Sequence, residues 1–269
     1  MVTSCCRARQ RVRVVTEMRG VVVALILCAS AFGQAPAKPP VPRTADGKPD
    51  FSGVWQGGNL SFAVGNDNAA RLGPAGIPAA PAKPEPMPYT EAAAKIRQGF
   101  LDRRGIDDPM ARCLMVGVPR ITTMPMPFQI TQTKDQVLFL YESFHAFRIV
   151  PMNKPHPEDV DSSFMGDSVG TWDGNTLVVD VIGFNDKTWL GGVGTIHSEK
   201  LHVTERFTRT DFDTILYEVK LEDPVVFTKT YNQRASIRLR AGDRVREYEC
   251  GENNEDIVRF EEMLKGKAK

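Results

Sequence analysis

Between Pro127 and Arg240 the apolar residues recur at every second position, the period of a strand with one buried face. Leu201, Val203, Glu205 and Phe207 fall on one face, and Ile215, Tyr217, Val219 and Leu221 answer them on the next segment. Turn residues interrupt the pattern at short intervals and predict three hairpins. "FQITQTKDQVLFLYES" turns near Lys134-Asp135, "DSVGTWDGNTLVVDVIGF" at Asp173-Gly174, and "LHVTERFTRTDFDTILYEVKLED" around Asp211-Phe212-Asp213. Asp-Gly is the sharpest of these signals, because a two-residue hairpin loop needs a positive φ that glycine adopts freely. "FHAFRIV" and "VVFTKTYNQRASIRLR" add strands. Short, regularly spaced strands predict a mainly β domain, a barrel or a sandwich.

Outside that stretch the period is lost. Residues 90–104, "TEAAAKIRQGFLDRR", predict a helix: Thr90 can cap it, Glu91 suits its first turn, and alanines fill its middle. "NEDIVRFEEMLKGK" predicts a terminal helix, and "PDFSGVWQGGNLSFAV" one strand. Residues 36–49 and 64–89 are rich in Ala, Pro and Gly and too poor in apolar surface to fold alone. They read as a linker and as an inserted loop. The domain then runs from 50 to 269 as one unit, with a loop and helix inserted at 64–126.

Residues 19–35, "RGVVVALILCASAFGQA", have the layout of a secretory leader: a positive charge, an apolar run of about ten residues, then small residues. Cleavage after Ala35 or Ala31 would suit it, and Met18 stands where a start would. The alternatives are a single membrane anchor, for which the run falls short of the ~20 residues a span needs, and lipid attachment at Cys28, where the bulky Leu27 is a poor neighbour. Removal of 1–35 takes Cys5, Cys6 and Cys28 and leaves Cys113 and Cys250. An even pair in an oxidising compartment predicts a disulfide, against the alternative of two separate thiols. The expected location is periplasmic or secreted, with no stable span after cleavage. A net charge of +1 and no basic stripe among aromatics argue against nucleic acid as a partner.

Gly166-Asp167-Ser168-Val169-Gly170 matches the Gly-x-Ser-x-Gly of serine hydrolases. That motif needs a buried strand before the serine and a helix after it. Here a polar loop, "KPHPEDVDSSFM", precedes it and a hairpin follows. Ser168 is therefore read as a strand residue. "GGVGTIH" contains Gly-x-Gly without a βαβ unit, and there is no P-loop and no Cys-x-x-Cys, so no cofactor is expected.

Polar residues that the alternation places indoors carry the chemistry. Glu205 is the one charge on its apolar face and needs an Arg partner or a raised pKa. His197 and Glu199 share its parity if that strand begins early, whereas His202 points outward. The cluster His197, Glu199, His202 and Glu205 is split over two faces, so no metal site is expected. With Asp173-Gly174 as the turn, Asp167 falls directly opposite Asp180, and two facing carboxylates require a cation, an Arg or a shared proton. Glu142 follows Leu138 and Leu140 on one face, with Arg148 as its expected partner. His145 reads as a strand residue and His156 as a loop residue able to reach a barrel mouth. In "GFNDKTWLGG", Phe184 and Trp189 either close a pocket or plug a barrel end.

The blocks "PDFSGVW", "GDSVGTWDGNTLVVD", "GFNDKTW" and "HSEKLHVTERF" resemble a set that recurs in secreted bacterial proteins of unassigned function. The resemblance spans most of the chain from Pro49 and implies export. Gly53-Val54-Trp55 resembles the Gly-x-Trp on the first strand of lipocalins and related calycin barrels. That resemblance implies an Arg from a late strand over Trp55, with Arg238, Arg240 and Arg246 as candidates. Long loops and terminal helices depart from a plain lipocalin.

The fold expected is an antiparallel up-and-down β-barrel of calycin type, with an N-terminal helix, a C-terminal helix and long loops. Three functions are open. The first is binding of a small, partly apolar molecule in the cavity, with Trp189, Phe184, Glu142, Glu199 and Asp167 as contacts. The second is acid–base catalysis of a lyase, isomerase or hydratase kind by Glu205, with His197, Asp180 or Arg148 assisting. The third is a structural or envelope role without a ligand, which calls for a filled barrel and an exposed patch.

Overall fold

The computed structural model describes residues 38–58, 86–192 and 194–266. The leader-like segment and most of the Ala/Pro/Gly-rich insert lie outside the described residues. The predicted strands are present as β1 (Gly53–Gln56), β2 (Pro127–Gln132), β3 (Gln136–Tyr141), β4 (Phe147–Pro151), β5 (Asp167–Asp173), β6 (Thr176–Ile182), β7 (His202–Asp211), β8 (Thr214–Glu222) and β9 (Tyr231–Leu239). They form one nine-stranded antiparallel sheet in the order β4-β3-β2-β1-β9-β8-β7-β6-β5, which is sequence order read around a circle.

The sheet curls into a nearly closed barrel whose seam lies between β4 and β5. With an odd number of strands, every other neighbour being antiparallel, the two edge strands must run the same way. Met152 and Gly170 accordingly form a parallel bridge, and the Asn153 amide donates to the Gly170 carbonyl (2.7 Å). A parallel pair cannot be joined by a tight turn and needs a crossover of about a dozen residues or more. Residues 152–166 supply it.

The alternation read from the sequence holds. On β7 and β8, Val203, Glu205, Phe207, Ile215, Tyr217 and Leu221 all point inward at 0 % exposure. Their neighbours fill the lumen with rings: Phe139 packs on Phe207 (centroids 5.5 Å) and Phe207 on Tyr217 (4.8 Å). The β5–β6 hairpin differs by one residue from the expected turn. Asp173 pairs with Thr176, so Gly174 and Asn175 are the loop. Gly174 has φ +58° and takes the first loop position, where a type II′ turn requires glycine.

One end of the barrel, the floor, is closed by Trp55, whose indole donates to the Phe51 carbonyl (2.8 Å). The cation over it is Arg209 (5.0 Å to the ring), not Arg238, Arg240 or Arg246. Arg209 shares the inward parity of Glu205 and Phe207, and its guanidinium also bonds the carbonyls of Asp50 and Phe212. Arg238 instead donates to Thr214 (2.6 Å), and Arg240 and Arg246 both pair with Asp243. Residues 38–49, expected as a free linker, lie along the floor: Lys38 pairs with Asp213 (2.7 Å) and Lys48 stacks over Trp172 (5.5 Å).

The other end, the rim, is covered by inserted segments. Helix α1 (Glu91–Asp102) starts where predicted, with Thr90 Oγ1 accepting from the Ala93 amide (3.3 Å). A 3₁₀ turn, Arg120–Thr123, buries Ile121 and Thr122, and Thr122 shares a hydrogen bond with the Tyr141 hydroxyl (3.2 Å). Cys113 and Cys250 are bonded (S–S 2.05 Å), as the cysteine count predicts. The bond fixes the C-terminal tail, whose helix α2 (Asp256–Leu264) packs against the 3₁₀ turn Pro109–Arg112. Among the described residues no helix is long and apolar enough to cross a membrane.

Candidate functional site

The expected site residues separate into three places. The first is the lumen. Glu205, on β7, accepts from the Tyr217 hydroxyl at Oε1 (2.6 Å) and pairs at Oε2 with Arg148 Nη2. Arg148 Nε donates to Ser168 Oγ (2.8 Å) across the seam, and the guanidinium lies over the Phe139 ring (5.6 Å). Side-chain exposure is 2 % for Arg148 and 0 % for Glu205. Burial pushes the Tyr217 hydroxyl well above its usual range, and the adjacent Glu205 carboxylate pushes it the same way, so it stays protonated as a donor. Burial also raises Tyr141. Arg148 is burdened most by desolvation, yet Glu205 together with Tyr141 and Tyr217 more than offsets it and keeps the guanidinium charged. These contacts explain Ser168: it orients Arg148 from a strand and is buried at 4 %, where a nucleophile would have to be exposed.

Arg148 therefore does not pair with Glu142. The two point to opposite sides because the 3₁₀ turn Ser143–His145 breaks the alternation between them. Glu142 instead accepts from the Arg246 amide of the C-terminal tail (2.8 Å).

The second place is the loop after β6. His197 is buried, with Nδ1 against the Ser198 carbonyl (3.0 Å) and Nε2 against Thr188 Oγ1 (2.7 Å). The carbonyl fixes the proton on Nδ1, so Nε2 accepts from Thr188. Burial lowers the His197 pKa. Phe184 meets its ring edge-on (5.9 Å), and Trp189 packs on Phe100 of α1 (5.0 Å). Of the two roles open to this loop, plug or pocket wall, both aromatics have the burial of a plug, at 1 % and 5 % exposure. His197 and Glu199 lie before β7, which begins at His202, so neither shares a strand face with Glu205. Glu199 is exposed.

The third place is on the outer face, near the rim. Asp167 and Asp180 share that face as expected, but the slipped turn makes them diagonal neighbours: Asp167 opposes Ile182, and Val169 opposes Asp180. The partner between them is His156, which lies in the crossover loop. His156 places Nδ1 at 2.5 Å from Asp167 and Nε2 at 3.1 Å from Asp180. His202 continues the row, with Nε2 at 2.6 Å from Asp180 and Nδ1 at 3.5 Å from Glu222, which Lys220 pairs (2.7 Å). Lys220 also holds the Glu222 carboxyl below its usual range. Among the described residues no group of three or more His, Cys, Asp or Glu is placed to hold a metal ion.

Set against family models, curated proteins and solved structures, the chain matches none. Its function has to be argued from its own residues.

Proposed function

We propose that this protein is an exported barrel that acts through its outer surface, as a contact module for another macromolecule, with the lumen as its packed scaffold. The observation that carries this reading is the contrast between the two faces of the wall. Inward side chains on β7 and β8 are buried from Val203 to Arg209 and from Ile215 to Leu221, and Glu205 bonds both Arg148 and Tyr217. Outward, β4 presents Phe147 at 65 % and Ile149 at 49 % exposure. Register sets Leu140 beside Phe147 and Leu138 beside Ile149. Apolar side chains gathered on a solvent face are the usual mark of a contact site.

A carrier needs room in the lumen, and the ring contacts among Phe139, Phe207 and Tyr217 argue against it. An acid–base enzyme needs a group that substrate can reach. Glu205 is sealed, and both nitrogens of His197 are engaged. Export is supported by the leader-like pattern of residues 19–35 and by the Cys113–Cys250 bond.

A photoreactive phenylalanine analogue at position 147 tests the reading. Irradiation of the exported protein in cells is expected to join it to a macromolecule from position 147 and not from the exposed control position Thr171. Equal labelling at both positions, or none at 147, would overturn it.

A further inference from the structure

We propose that His156 is a proton-dependent pin that holds the β4–β5 crossover against the outer faces of β5 and β6. The crossover is anchored at one end by the Asn153 amide on Gly170, and near the other by the Ser163 amide on the Gly183 carbonyl (2.9 Å). Between these anchors His156 ties the segment to two strands at once, Asp167 on β5 and Asp180 on β6. Both contacts face carboxylate oxygens. An imidazole with one proton donates from one nitrogen and turns a lone pair on the other oxygen, at 2.5 or 3.1 Å. Two carboxylate contacts are satisfied together when the ring carries two protons.

Other charged groups surround the ring. Asp167, Asp180 and Glu222 face this row from β5, β6 and β8, and Lys220 of β8 is the cation that pairs Glu222. His202 of β7 shares Asp180 with His156. Within the crossover itself, Lys154, Glu158, Asp159 and Asp161 are exposed. Loss of the proton on His156 removes a charge-assisted bond and sets a nitrogen lone pair against a carboxylate. The segment it releases joins β4 to β5, which are themselves held by the bridge at Met152 and Gly170 and by the Arg148–Ser168 bond. The device is independent of the contact surface proposed above.

Amide hydrogen exchange across residues 153–166 tests the pin, measured from about pH 5.5 to about pH 8.5 and corrected for intrinsic exchange. Protection is expected to fall about tenfold or more as pH rises, the size of one lost charge-assisted bond. In His156→Gln it should be low and flat over the same range. Nitrogen NMR of the wild-type ring gives a second readout, with both ring nitrogens protonated at the acid end. Protection that ignores pH, a pH dependence that survives in His156→Gln, or a singly protonated ring at the acid end with the segment still protected would each overturn the proposal.

Discussion

Glu205 illustrates how much one residue dictates. A lone carboxylate on an apolar strand face cannot be buried ionised without a partner, and the fold brings it Arg148 from β4 and Tyr217 from β8. Removing one member of such a pair leaves the other charge stranded, which costs roughly 3–5 kcal/mol. Glu205→Gln is therefore expected to lower stability by about that much in urea unfolding, and Arg148→Met with Glu205→Leu to recover most of it. A Glu205→Gln protein as stable as wild type would show that the pair is not structural. His197 carries the opposite lesson, a polar group kept neutral. Burial lowers its pKa, so the unfolded chain binds a proton that the folded chain resists. Stability should then fall as pH drops below about 6.5, with a slope of up to about 1.4 kcal/mol per pH unit. His197→Gln should flatten that slope, and unfolding curves at stepped pH would reveal an unchanged slope if the ring were not the cause. The partners of Glu205 were partly legible, since Tyr217 shares its face. Those of Asp180 were not, because His156 lies in a polar loop with no period to place it.

At the scale of elements the period of two placed eight of the nine strands, from β2 to β9, and the Gly-x-Trp block marked β1. The misreadings have local causes. Choosing Asp173-Gly174 as the loop shifted one register because glycine can serve either loop position. Passing over Arg209 for later arginines ignored its inward parity, and the register irregularity between Arg209 and Asp211 falls where it leaves the strand for the floor. The seam itself was invisible, because strand count decides it and no single segment does. Gly170 is its close contact: a Cβ there would lie 2.5 Å from Met152 Sδ and 3.0 Å from Val150 Cγ1. Gly170→Ala should wedge β5 from β4 and cost about 1–3 kcal/mol, the usual penalty for overpacking. Adding Met152→Ala should offset part of that cost. A double-mutant cycle with no coupling between the two sites would contradict the packing described for the seam.

On the scale of the whole molecule, the barrel spends its interior on its own stability. Rings and one charged pair occupy the lumen, the floor is sealed by Trp55 and Arg209, and the rim is covered by α1, a 3₁₀ turn and the loop carrying His197. The apolar square on β3 and β4 is left facing solvent. The barrel class could be read from the strand pattern, but the packing of rings inside it could not, because alternation gives the side a residue faces and not the volume enclosed. Native mass spectrometry of the exported protein, on wild type and on a Phe147→Ser, Ile149→Thr variant, tests the filled barrel most directly. The account predicts a bare chain carrying one disulfide in both proteins. An organic molecule held equally by both and released on denaturation would place a ligand inside the barrel and contradict it.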